Sequence, residues 1–456
     1  MTETNHNPYR VNSNFIKEPP VGLFASLKHL GPGMILTASI VGSGELIATT
    51  TLGAQAGFVT LWVILVSCLC KVAIQLEFGK QAINDGLPFF ASVVSVPGPR
   101  WKGGHWVMWG WLLLMPLKFL QEGGVLGGCA LTLQMMYPGL GLDFWTWFCV
   151  VSCALLVARG YYRFTQQASI IMIALFSITT LVSVYFLQFT PYAITWDNIL
   201  SGLSFKLPLA YVGIAIAAFG ITGVGGDEIM QYVYWCIEKG YAAYAGPRTD
   251  DDAWLNRARG WIKVMYLDAL TSMVVYTTVT AAFYLLGAAI LHNRGEIPRG
   301  YAMVETLSRM YTESIGAGAK YIFLFGAFIV LYSTLFAAVA AWGRMFGDAF
   351  GNLGWLNFYE ESSRKKFIRW FAWIGPTIMA ILFYIFKEPV SMVVLGGIAT
   401  SIILMMVLFV AYWHRYHLLD KRLKPSIGYD IAFWISIIVI CLLAVRGIYL
   451  GILNVM

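Results

Sequence analysis

Two short stretches of this 456-residue chain join glycines to acids in a pattern that suits cation chemistry. One is Ile40-Val41-Gly42-Ser43-Gly44-Glu45-Leu46-Ile47; the other is Ile221-Thr222-Gly223-Val224-Gly225-Gly226-Asp227-Glu228-Ile229-Met230. Both read I-x-G-x-G and then a carboxylate, in the middle of an apolar run. Glycine lets a helix unwind, and at membrane depth the freed carbonyls are tolerated only where they line a cavity or hold an ion. Carboxylates beside such carbonyls form a hard oxygen site for a cation. The expected metal ligands are Glu45, Asp227 and Glu228, with backbone groups at Gly42 and Gly223 and with Thr222. A single glycine pair also fits close helix packing, but its recurrence in two spans favours the ion site. Adjacent side chains on a helix diverge by about 100°, so one of Asp227 and Glu228 is expected to face Glu45, and the internal match selects Glu228. Three unpaired carboxylates at mid-membrane would cost roughly 10 kcal/mol, so positive charge is expected between them.

Other intramembrane charges offer gating or proton relay. Lys118 and Glu122 stand four residues apart and are expected to pair across one helical turn. Lys71 and Glu77 are six apart and cannot easily pair; Glu77 is expected to reach water at the span's end. Tyr332, Ser333, Thr334, Thr400 and Ser401 offer hydroxyls for an ion or for helix contacts. The six histidines, at 6, 29, 105, 292, 414 and 417, lie at span ends or beyond, which leaves no imidazole at mid-membrane to carry protons. The seven cysteines form no CxxC pair and read as reduced packing residues. No His-rich metal set, Ser/His pairing or phosphate loop suggests an enzyme, and no cofactor is expected beyond a cation as cargo.

These residues need a membrane scaffold. The chain is 58% hydrophobic and 12% charged, with mean hydropathy +0.68, against about 25% charged in soluble domains. Continuous apolar runs point to helices, not a barrel. Eleven spans are expected near 31 to 53, 58 to 79, 105 to 136, 144 to 159, 166 to 188, 209 to 235, 265 to 291, 319 to 343, 369 to 386, 390 to 413 and 430 to 453. Most of the 31 Lys and Arg fall in alternate loops, including Lys80, Arg100, Arg257, Arg259, Arg364, Lys365 and Arg422. That asymmetry puts the N-terminus in the cytoplasm and the C-terminus outside, in an inner membrane, and accounts for the net charge of +7 without nucleic acid. Residues 249 to 263 read as an amphipathic helix resting on the inner membrane surface.

The resemblance follows from the order of motifs. Gly31-Pro32-Gly33 opening the first span, the Gly-x-Gly break and Leu61-Trp62-Val63-Ile64-Leu65 in the second span resemble the Nramp (natural resistance-associated macrophage protein) divalent-metal transporters of the LeuT-like superfamily. The resemblance implies an all-α membrane protein of 5+5 inverted repeats with discontinuous helices 1 and 6. It also implies import of a divalent cation, usually manganese or iron, coupled to protons. The domains expected are a polar tail at 1-27, a transporter core at 28-413 with repeats at about 28-208 and 209-413, and an extra helix with its inner loop at 414-456. The family's Asp-Pro-Gly-Asn falls on Gly42, Ser43, Gly44 and Glu45, and its Met-Pro-His on Val224, Gly225 and Gly226. A second family histidine falls on Gln231. The thioether and both imidazoles are therefore replaced, which favours harder cations. The alternative is a sodium-coupled carrier of a small organic solute with the same fold.

Overall fold

The computed structural model describes residues 7–42, 44–159, 162–316 and 318–453. Its long helices are α1 (Pro32–Ile40), α2 (Thr50–Ala56), α3 (Leu61–Asp85), α4 (Trp106–Met136), α5 (Leu142–Ala158), α6 (Tyr162–Leu187), α7 (Val212–Ile221) and α8 (Gly226–Lys239). They continue as α9 (Asp252–Leu286), α10 (Ala319–Asn352), α11 (Glu361–Phe386), α12 (Pro389–Trp413) and α13 (Ile427–Leu453). Among the described residues the only sheet is a two-stranded hairpin, in which Arg100 pairs with His105. Among the described residues eight helices are long and apolar enough to cross a membrane, nine with α1 and α2 taken as one bent span. With the shorter α5 and the charge-bearing α4 in the remaining places, the arrangement is consistent with eleven spans.

The discontinuities fall where the glycines are. α1 ends at Ile40, and the chain resumes as a wide π-turn, Gly44–Thr49, before α2; Ser43 lies outside the described residues. α7 ends at Ile221, and Thr222 to Gly225 separate it from α8.

One buried acid sets the start of α1. Proline at the first helical position is pre-shaped for a helix, but the neighbouring N–H groups have no intrahelical acceptor. Gly31 and Gly33 donate theirs to the Asp268 carboxylate on α9, at 2.7 and 2.6 Å, and the Tyr232 hydroxyl donates to the same carboxylate at 3.2 Å. A Cβ on Gly33 would sit 2.2 Å from the Ser272 hydroxyl, so this close approach requires glycine.

At the same end of the bundle, residues 7 to 19 run as a strap beneath the helices. The Tyr9 hydroxyl donates to Glu238 at 2.7 Å, and Glu238 is clamped by Arg344 at 2.6 Å. The Arg364 guanidinium donates to Asn7 at 3.1 Å, and the Trp261 indole donates to the Lys17 carbonyl at 2.9 Å.

Two expectations change here. Residues 249 to 263 do not form a separate helix on the membrane surface: Asp251 caps Trp254 N–H at 2.7 Å, and α9 runs unbroken for 35 residues from Asp252. Its apolar face, Trp254, Leu255, Ala258, Trp261 and Ile262, is buried within the protein, which includes the strap. Glu77 does not reach water either. It is buried between Lys80 and Arg415, each at 2.6 Å, because α12's end brings a guanidinium to it.

Removing the acceptor in Asp268→Ala leaves two buried N–H groups unpaired and is expected to cost about 2–5 kcal/mol of stability. Thermal or SDS unfolding of the purified protein checks this, with Asp268→Asn, which keeps one acceptor, falling between.

Candidate functional site

At the first break, the last carbonyls of α1 are met by α10. Ser333 donates to the Ala38 carbonyl at 3.2 Å and Thr334 to the Ser39 carbonyl at 3.2 Å. Thr334 comes so close that a Cβ on Gly42 would lie 1.5 Å from its hydroxyl oxygen. Glycine at 42 is thus needed for space.

Glu45 follows directly and is fully buried. Its carboxylate accepts the N–H of Gly42 at 3.4 Å, the N–H of Gly223 at 3.3 Å and the Thr280 hydroxyl at 3.1 Å. One side chain thereby spans both breaks. The expected role of the glycine backbones changes accordingly: Gly42 and Gly223 turn N–H groups, not carbonyls, toward the acid. All three bonds are longer than the 2.7–2.9 Å usual for a charged acceptor, so they hold the carboxylate loosely.

Gly223 adopts φ +67°, and its Cα packs on α3 so closely that a Cβ would meet the Cys68 backbone at 3.0 Å. The Thr222 hydroxyl lies 3.1 Å from that of Thr49, a second link between the breaks. The Thr222 carbonyl accepts from Lys71 at 2.9 Å and from Ser67 at 2.8 Å. Lys71, buried in α3, also donates to the Gly220 carbonyl at 3.2 Å and to that of Phe219.

The acids that open α8 lie elsewhere. Asp227 is 3.1 Å from the Lys118 ammonium on α4, which also donates to Gln121 and to Thr400, both at 2.7 Å. The pairing expected between Lys118 and Glu122 is therefore replaced by one with Asp227. The α8 acid is aimed at the ammonium, whereas Oε2 of Glu122 is buried with no hydrogen-bond partner. Glu228 is partly exposed, with Oε2 also unpartnered, and lies close against Gly225.

The structure thus brings together Glu45, Gly42, Gly223 and Thr222, and separately Asp227 with Lys118. It does not gather Glu45, Asp227 and Glu228 into one cage: among the described residues no three His, Cys, Asp or Glu side chains are placed to hold a metal. Four carboxylates, Glu45, Glu122, Asp227 and Glu228, set against two ammonium groups, Lys71 and Lys118, leave a formal charge of −2 around the breaks. Sequence reasoning noted Lys71 but did not place it at the second break, and it missed Thr280. The signal for Lys71 was its i, i+4 spacing from Ser67, which puts both on one face of α3; Thr280 carried none.

Access differs between the two ends. Beyond α2, a cavity of about 500 Å³ is lined by Thr51, Gln55, Ile214, Arg299, Glu388 and Val394. The opposite end is closed by Tyr9, Glu238 and Arg344.

The model of the natural resistance-associated macrophage protein-like family, Nramp, matches residues 33–450. Crystal structures of two variants of the Eremococcus coleocola manganese transporter superpose with a TM-score of 0.71, at 14% and 15% identity, covering 96% of this chain and 89% of that one. Mhp1, a nucleobase-cation-symport-1 family transporter in a closed conformation with bromovinylhydantoin bound, gives 0.60 at 15% identity, covering 98% and 94%. An uncharacterised protein of Pasteurella multocida (strain Pm70) is 24% identical over 332 residues, 69% of each chain. The structural likenesses concern the fold.

Breaking a buried ion pair strands the remaining charge, so Lys118→Met is expected to lower stability by about 3–5 kcal/mol. Adding Asp227→Asn should restore most of it. A double-mutant cycle on unfolding checks this, and additive losses would show that the two groups are uncoupled.

Proposed function

The chain belongs to the Nramp family, a family of transporters, and from that premise we propose that it is a secondary transporter for a divalent cation such as Mn²⁺ or Mg²⁺. The observation that carries the reading is the formal −2 around the two breaks, which is the charge one divalent cation neutralises. Glu45 is the central ligand in this proposal. Its three long hydrogen bonds leave lone pairs that an ion would take at little cost, and it touches both broken helices. Glu228 and Glu122, each with an unpartnered oxygen, are the acids free to turn toward the ion. Asp227 is the less available of the α8 pair because Lys118 holds it. Lys118 and Glu122 remain the candidates for gating or proton relay, since a shift of Lys118 between Asp227 and Glu122 would tie α4 to α8. The Eremococcus coleocola relative's description as a manganese transporter agrees with this cargo class.

Alternating access by rocking one helix group against the other fits a site with a cavity at one end and an ion-paired closure at the other. The core would span 28-413 and its repeats 28-208 and 209-413, with 414-456 as an addition. Basic loops support an inner-membrane placement with the N-terminus cytoplasmic and the C-terminus outside. The sodium-coupled alternative is less favoured, because the carbonyls at both breaks already have donors: Ser333 and Thr334 at the first, Lys71 and Ser67 at the second.

Glu45→Gln is expected to weaken Mn²⁺ binding at least tenfold, about 1.4 kcal/mol, with folding intact; calorimetry on purified protein checks this, and an unchanged isotherm removes Glu45 from the site. In proteoliposomes holding a metal dye and a pH dye, millimolar Mg²⁺ or Ca²⁺ should compete with Mn²⁺, since the site lacks a sulfur ligand. Metal entry should bring little acidification unless one of the acids Glu45, Glu122 or Glu228 carries the proton, as no histidine lies at mid-span. Uptake of Mn²⁺ indifferent to Mg²⁺ would refute the hard-site reading.

A further inference from the structure

α7 ends inside the bundle, and its last-turn carbonyls lose their intrahelical partners. Only Ala218 finds one, in the N–H of Thr222 at 2.8 Å. The others form the negative end of the helix dipole, where a cation is favoured. Three oxygens, the carbonyls of Phe219, Gly220 and Thr222, converge on a single point, and that point is occupied by the ammonium of Lys71. An ammonium has three N–H groups, and all three are used here. The Phe219 ring lies 4.7 Å from the same nitrogen and shields it on another side. The Ser67 hydroxyl, one turn earlier on α3, shares its single proton between two of the same carbonyls, at 3.0 and 2.8 Å, so the cluster is built to a fixed shape. Lys71 is wholly buried.

Converging carbonyls at an unwound helix are the coordination that transporters of this architecture offer a small free cation. We propose that Lys71 is a tethered cation: its ammonium fills the cation site that the α7 break creates, so the protein carries its own ion there and needs no soluble one. The substitution is chemical as well as geometric. A tethered ammonium leaves the number of free ions per cycle to the carboxylates alone, and it fixes α7 to α3. This goes beyond the cargo reading and does not depend on it.

Lys71→Ala removes three methylenes and the ammonium, the outline of n-propylammonium. The test is thermal unfolding of the purified full-length protein at equal ionic strength in choline, Na⁺ or n-propylammonium. The native protein is expected to melt alike in all three. Lys71→Ala should melt lower in choline and regain at least half of the loss in n-propylammonium, with a smaller gain in Na⁺. Lys71→Met, which fills the space without the charge, should melt lower and regain nothing. If Lys71→Ala does not survive extraction in choline, recovery of monodisperse protein only with n-propylammonium is the supporting result. Equal melting of Lys71→Met and the native protein, or no cation raising Lys71→Ala beyond its effect on the native chain, overturns the proposal. No metal enters this assay, so its outcome and that of Mn²⁺ binding are read separately.

Discussion

A helix that breaks inside a bilayer exposes peptide groups where no water can answer them, and every unusual residue near the centre of this protein responds to that constraint. Each break has two electrical ends. Carbonyls at the close of α7 take Lys71, and those at the close of α1 take the Ser333 and Thr334 hydroxyls. N–H groups at Gly42 and Gly223 take Glu45, and those opening α1 take Asp268. The sign of each side chain follows from which peptide atom is left bare.

Satisfying the breaks in this way makes the site a balance between fixed and free charge. Lys71 and Lys118 are fully committed, one to carbonyls and one to Asp227, Gln121 and Thr400. Glu122 and Glu228 each keep an oxygen without a partner. Buried acceptors left bare in a low-dielectric interior are costly, so they mark where a cation's arrival would be most favoured.

Fold class and the placement of both breaks were legible in the sequence, because lipid permits few ways to satisfy a backbone and glycine beside an acid in a long apolar run is one of the few reasons to interrupt a helix. The partners were less legible. Lys118 and Glu122 had the right spacing for a helical pair, yet an acid from α8 reaches the ammonium, and local periodicity cannot weigh a neighbour brought in by packing. Likewise, I-x-G-x-G marks flexible backbone without saying whether N–H or C=O will turn inward. At Gly223 the left-handed φ decides this, sending the N–H to Glu45. Asp268 was not singled out, because its two backbone donors lie 237 and 235 positions earlier in the chain.

The strap beneath the bundle bears on biosynthesis. Tyr9 bonds to a residue 229 positions later, and Asn7 donates to the Tyr359 carbonyl 352 positions later. Domains form N-terminal first as the chain emerges from the ribosome, yet the long-range hydrogen bonds of Asn7, Tyr9 and Lys17 run to residues in or beyond α8. Those bonds must wait through most of translation and membrane insertion. Residues made early are therefore among the last to complete their bonds, and their docking marks a late point in assembly.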